Sequence, residues 1–184
     1  MIDDARSEEA HQLLTRLSRA LNTASNRLDD NFRNFQPTQV RYFSDCVSLI
    51  TPFRRDGDQL AESDFGSTVL PLLNWQLSMT LDGFFVRGAM TVGEVYTDPF
   101  SIFGKAHLDA YVIEQSVAKY PRIVLSSAAC ESVHYQMERV ARSLKTPHEF
   151  ALLVDHDDQI FLSYLEALLE SPHQFPEDAL MTHK

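Results

Sequence analysis

From Ser7 to Phe32 apolar residues recur at three- and four-residue steps: Ala10, Leu13, Leu14, Leu17, Leu21, Ala24, Leu28 and Phe32. That spacing places them on one face of a helix, so a long amphipathic helix is predicted over 7–32. Ser7, followed by Glu8 and Glu9, fits its N-terminus, where carboxylates meet the positive end of the helix dipole. Asn34 to Pro37 breaks the pattern. Thr38 to Thr51 then reads as two β-runs that turn at Ser44-Asp45.

Arg54 to Glu62 is polar and reads as a loop. Ser63 to Leu81 is predicted helical, with Pro71 marking a kink or its beginning, and Gly83 ends it. Phe84 to Met90 reads as a strand that carries Arg87 among apolar neighbours; Gly93 to Tyr96 continues beyond a bend. A helix is expected over 104–119, stopped by Tyr120-Pro121, then a buried-type strand over 122–126 and a helix over 128–144. Phe150 to Val154 and Ile160 to Leu165 form the expected terminal hairpin around His156-Asp157-Asp158-Gln159. From Ser171 the chain is polar with two prolines, a loosely held tail. Irregular alternation of helices and strands favours one mixed sheet covered by helices.

At 184 residues, 44% hydrophobic and 23% charged, the chain has the length and balance of one globular domain. No run approaches the roughly 20 apolar residues of a membrane helix, and Met1-Ile2-Asp3-Asp4 is too acidic for a signal peptide. No membrane partner is expected, and cytoplasmic residence is the default. Cys46 and Cys130 stand in unrelated contexts and suggest neither a disulfide framework nor a zinc site. The net charge of −10 argues against a nucleic-acid polymer, whose phosphates require excess Lys and Arg. It allows a small nucleotide that arrives with a divalent cation, since acidic residues bind such cations.

Two residues invite chemistry. Asp45, at a hairpin tip between runs that read as sheet core, is either a turn aspartate or a metal ligand. Arg87, inside an apolar strand, needs an anion: either a structural ion pair or a phosphate, across whose oxygens a guanidinium forks. His156-Asp157-Asp158 offers three ligand types in a row, but consecutive residues rarely converge on one ion, so a solvated turn is expected.

Taken in order, strand–Ser44-Asp45–strand, a long helix, Arg87-Gly88-Ala89-Met90-Thr91-Val92-Gly93, Phe103-Gly104-Lys105-Ala106, Ala110, Glu114 and Ile123-Val124-Leu125-Ser126 resemble a class III nucleotidyl cyclase catalytic domain. Phe43-Ser44-Asp45, Val86-Arg87-Gly88-Ala89, Ala110-Tyr111 with Glu114, and Tyr120-Pro121-Arg122-Ile123 are closer to the bacterial pyrimidine cyclases of antiphage defence, which make cyclic UMP or cyclic CMP. The likeness runs from about Ser7 to Leu165. It implies an α/β (α+β) ferredoxin-like fold, a mixed and mostly antiparallel sheet covered by helices. It also implies a homodimer with sites between subunits and two divalent ions, Mn²⁺ or Mg²⁺. By position, Asp45 resembles the second metal-binding aspartate and Arg87 the arginine that contacts the nucleotide phosphates. Arg41 and Ser101 fall where purine cyclases place base-reading residues, and Tyr42 adjoins Arg41 on the other side of its strand. Arg is donor-only, so Arg41 suits uracil O4 and disfavours cytosine, whose amino group is a donor there; guanine O6 stays open. The implied substrate is UTP.

Three positions depart from the family pattern. Its first metal aspartate lies on a strand ahead of the long helix. No apolar strand precedes Ser7, and Asp3 and Asp4 read as a loop or helix lead-in, so residues 1–170 are expected to be a catalytic domain without that strand, followed by a tail over 171–184. Leu108 and Val112 stand where many purine cyclases carry an Asn and an Arg that serve the ribose and the transition state; His107 and Asp109 are the neighbouring substitutes, or the positions are simply exposed. The last hairpin lacks a basic residue. A cyclase and a non-catalytic cyclase-fold domain both remain open, while a purely structural α/β domain leaves Arg87 unexplained.

Overall fold

The computed structural model describes residues 2–33, 38–43, 45–52, 55–56, 59–60, 62–140 and 151–166. The chain is a mixed α/β arrangement: α1 (Ile2–Arg33), β1 (Gln39–Phe43), β2 (Cys46–Ile50), β3 (Arg55–Asp56), β4 (Gln59–Leu60) and α2 (Glu62–Leu81) come first. Then follow β5 (Gly88–Met90), β6 (Tyr96–Thr97), β7 (Ile102–Phe103), α3 (Lys105–Ser116), β8 (Ile123–Leu125), α4 (Ser127–Val140), β9 (Leu152–Val154) and β10 (Ile160–Leu162). Residues 141–144 of the helix predicted over 128–144, Phe150 of the expected terminal hairpin and the tail from Ser171 lie outside the described residues.

Among the described residues, the expected single sheet is instead one four-stranded sheet and three two-stranded ones. In the larger sheet, ordered β5-β8-β10-β9, β5 is parallel to β8, and β10 is antiparallel to both β8 and β9. A parallel pair needs a crossover, and β6, β7 and α3 supply it between β5 and β8. The β1–β2 hairpin pairs only with itself among the described residues. The polar stretch expected to be a loop contains the small β3–β4 pair, Arg55 opposite Leu60.

Helix α2 explains the core. It is apolar on nearly every side and lies between two clusters, as expected of a helix covered all round. Val69, Leu73 and Leu77 pack with Ile123 and Leu125 of β8, Ala129 and Val133 of α4, and Leu162 of β10. Trp75 and Met79 meet the α1 stripe at Ala20, Ala24 and Leu28, with Val47 and Leu49 of β2 at the margin. Each fully buried Leu or Val contributes about 1.5–3 kcal/mol through apolar area removed from water. Pro71 lies inside the helix, neither opening nor ending it. Burial of Val69 and Leu73 on either side holds the turn that a missing backbone N–H would weaken.

Gly83 ends α2 as expected. It takes φ +88°, its N–H donates to Thr80 O at 2.9 Å, and Phe84 N–H donates to Met79 O at 2.9 Å. This is a Schellman cap, and Phe84 and Met79 join the same apolar cluster. Helix α1 begins five residues earlier than the apolar stripe predicts, so Asp3 and Asp4 lie within it and are not a loop lead-in. No helix among the described residues is long and apolar enough to cross a membrane.

Candidate functional site

The β1–β2 register pairs Arg41 with Ser48 and Phe43 with Cys46, which puts Asp45 at the tip. The tip is open: Asp45 and Cys46 are exposed, and Phe43 is 83% exposed. The flanks of Asp45 are therefore not sheet core as expected; only Val47 and Leu49, toward the base, reach the α1–α2 cluster. Cys46 Sγ lies 3.9 Å from Asp45 Oδ1. Burial pushes the Cys46 thiol up, and the negative charges of Asp45 and then Glu114 push it further.

Arg41 faces away from the exposed Tyr42 and reaches across to the β6–β7 turn. Its Nη2 donates to Asp98 O at 3.1 Å and to Gln39 Oε1 at 3.3 Å. The Asp98 carboxylate accepts from the backbone N–H groups of Phe100 (2.7 Å) and Ser101 (2.8 Å), and Asp98 N–H donates to Ser101 O at 3.1 Å. Arg41 and Ser101, far apart in sequence, thus meet at one turn. Arg41 Nε–H is buried and unpaired there. At the base of the same β6–β7 hairpin, a shallow cleft of about 400 Å³ is lined by Glu94, Val95, Tyr96, Phe103, Gly104 and Lys105. Gly104, at φ +142°, is required by the fold: a Cβ there would fall 2.4 Å from Glu94 O.

Arg87 does not sit within a strand. Pairing begins at Gly88, and Phe84 to Arg87 run extended ahead of it. The reason is local: Gln76 of α2, fully buried, donates its Nε2 to Val86 O at 3.1 Å, so that carbonyl is taken before the ladder can reach it. The Arg87 side chain is 43% exposed, and its Nε lies 3.1 Å from Glu114 Oε1. The structural ion pair, one of the two sequence alternatives, is therefore formed. Arg87 Nη1 also reaches toward Ala118 O at 3.5 Å, just past the C-terminus of α3, where a cation meets the negative end of the helix dipole. Leu108 and Val112 point outward from α3 and are exposed, and Asp109 is taken by Lys105 Nζ at 2.5 Å.

The His156 turn is more than a solvated turn. Asp155 N–H donates to Gln159 O at 3.0 Å, Asp158 adopts φ 60°, and the turn aims two carboxylates at Arg122. Arg122 is buried with its side chain 4% exposed. It forks onto Asp157, with Nη1 3.1 Å from Oδ1 and Nη2 on Oδ2, and reaches Asp155 from Nη1. Its guanidinium lies over the rings of Tyr120 and Phe161, at 5.5 and 5.8 Å. Hydrogen bonds from His156 hold the Asp155 carboxyl below its usual range, with Arg122 adding to the effect. For Asp157 the Arg122 hydrogen bond is the leading cause of the same shift. Sequence reasoning missed this clamp. The signal was an arginine at the start of a three-residue apolar strand, beside an acidic turn in a following hairpin.

Which residues suit a cation? Asp155, His156 and Asp157 each offer a ligand atom, all within 4.8 Å of one another, so this group could hold a metal ion. Both carboxylates, however, already face the Arg122 cation. Asp45 belongs to no three-ligand group among the described residues. A Mg²⁺-like ion uses one or two carboxylates, with substrate phosphates and water completing the octahedron. Asp45 offers one carboxylate, and Glu114 is already paired with Arg87.

No protein-family description, curated protein or solved structure matches this chain.

Proposed function

We propose that the chain is a class III-type nucleotidyl cyclase domain that converts UTP to 3′,5′-cyclic UMP and pyrophosphate, a second messenger of antiphage defence. The observation that carries this reading is the convergence of Arg41 with the Ser101 turn, with Asp45 exposed at the tip of the hairpin that carries Arg41. In the reaction the ribose 3′-oxygen forms a bond to the α-phosphorus, the bond from that phosphorus to the α–β bridging oxygen breaks, and the hydroxyl proton passes to solvent. Pyrophosphate carries away the displaced electron pair. A divalent ion, Mn²⁺ or Mg²⁺, supplies charge neutralisation on the phosphates. Asp45 holds that ion at an exposed tip, and Arg87 contributes a planar fork for phosphate oxygens. No second carboxylate stands beside Asp45 in a three-ligand group among the described residues, so no step is assigned to the second ion expected from the family pattern.

Arg41 reads the base. Two of its five N–H donors are spent on Gln39 and Asp98, which fixes the guanidinium and leaves donors for a carbonyl such as uracil O4. Arg41→Ala is expected to reduce the preference for UTP over CTP by about 10-fold, the worth of one charge-assisted hydrogen bond. Equilibrium titration with each nucleotide measures it, and unchanged preference removes Arg41 from the base pocket.

A homodimer is part of this reading. Leu108, Tyr111 and Val112, at helical spacing on α3, are 64, 62 and 58% exposed, and the nearby Phe100 and Phe103 are also exposed. An exposed apolar row of this kind supports an interface on α3. Leu108→Glu is expected to convert a dimer to monomer by light scattering; an unchanged mass would place the interface elsewhere.

The second reading is a cyclase-fold domain that binds a nucleotide or a protein partner without turnover. It is favoured by a specific observation: Asp45 joins no three-ligand group among the described residues, and apolar Leu108 and Val112 face outward.

A further inference from the structure

We propose that Glu114 is a built-in competitor for the anion that Arg87 binds, so that a polyphosphate must displace its carboxylate before it can be held. The inference rests on the reading above, in which Arg87 contacts the nucleotide phosphates.

In its present position Arg87 faces only negative partners. Glu114 Oε1 is 3.1 Å from Nε, and Ala118 O, just past the end of α3, is 3.5 Å from Nη1. A phosphate entering the same place would meet a carboxylate and the negative end of a helix. The guanidinium has to turn outward to receive it. The pair is partly open, with Arg87 43% and Glu114 23% exposed. An ion pair this open contributes little, so a multiply charged anion can replace it.

The main chain on both sides is fixed. Val86 O is held by buried Gln76 at 3.1 Å, and Gly88 N–H donates to Arg122 O at 3.0 Å. The exchange is therefore confined to one side chain, with no movement of the β5 segment. Gln115 Nε2, 2.9 Å from Glu114 Oε2, stays as a partner for the carboxylate when Arg87 leaves. Glu114 thereby sets how strong an anion must be to engage Arg87. A single phosphate group gains little over the resident carboxylate, whereas a triphosphate gains much. A purely structural ion pair would behave differently, since its loss would change stability and leave anion affinity where it was.

The test uses the full chain and inorganic tripolyphosphate, without divalent cation, in titration calorimetry. Glu114→Gln is expected to tighten tripolyphosphate binding by about 5-fold, on the scale of an exposed ion pair removed as competitor. The gain should vanish in Glu114→Gln/Arg87→Ala, because the competitor acts only through that guanidinium. Glu114→Ala gives the same sign by a second route should the amide find a new partner. Unchanged or weaker binding in both Glu114 variants, with wild-type binding still dependent on Arg87, overturns the inference and leaves the cyclase reading intact. Wild-type binding that ignores Arg87→Ala overturns the phosphate role of Arg87, and the inference falls with it.

Discussion

Replacing Arg122 by methionine is expected to lower folding stability by about 2–4 kcal/mol, read from urea unfolding. Methionine retains much of the packing against Tyr120 and Phe161 but leaves Asp155 and Asp157 aimed at a site with no cation. The partial exposure of both acids keeps the loss toward the lower end. Arg122→Lys should fall between, because an ammonium cannot fork across Asp157. Acid removes the same interactions in the wild type. Both carboxyls titrate below their ordinary value of 3.8 in the folded chain, so near and below that pH the unfolded chain binds protons that the native chain does not. Their stabilisation is complete above that value and is lost as pH falls through and below it. The two acids also separate by cause. Asp157 is lowered first by Arg122, so its share of the acid slope should shrink most in Arg122→Met. Asp155 is lowered first by His156 and should keep the larger part of its share. An unchanged acid slope in the variant would remove Arg122 from the account.

Asp45→Asn is expected to reduce formation of cyclic product by at least about 10²-fold, the scale of several kcal/mol of charge stabilisation supplied through a metal. The fold should be indifferent. Asp45 is exposed at a turn, and surface changes of this kind usually stay within about 0.5 kcal/mol. Asparagine preserves shape and removes only the charge that holds the cation. Mn²⁺ binding in the presence of UTP should weaken together with turnover, while the melting temperature stays where it was. Retained turnover would show that Asp45 is a turn residue and nothing more.

Several elements were legible because they depend on local spacing. The α1 stripe, the Ser44-Asp45 hairpin, the Gly83 stop and the β9–β10 hairpin follow from periodicity and turn chemistry. What was not legible depends on partners distant in sequence. Arg87 reads as a strand residue because Phe84, Phe85 and Val86 are apolar, yet the strand starts late because Gln76 claims Val86 O. The core-like flanks of Asp45 belong to an exposed tip, since apolar character alone does not say which end of a hairpin a helix covers. Arg122 opens a stretch that reads as a buried-type strand, and only the acidic turn of another hairpin, brought against it, shows what meets its charge. The resemblance singles out Asp45, Arg87, Arg41 and Ser101 as a candidate site, with Tyr42 a weaker neighbour. That Arg41 would be fixed by the Asp98–Ser101 turn, and that Arg87 would already hold Glu114, required the fold.

The measurement closest to the central claim is incubation of the full chain with UTP, CTP, ATP and GTP separately in the presence of Mn²⁺, with products resolved by mass spectrometry. The account predicts cyclic UMP and pyrophosphate in equal amounts from UTP, and less product from CTP. No cyclic product from any of the four nucleotides would contradict it.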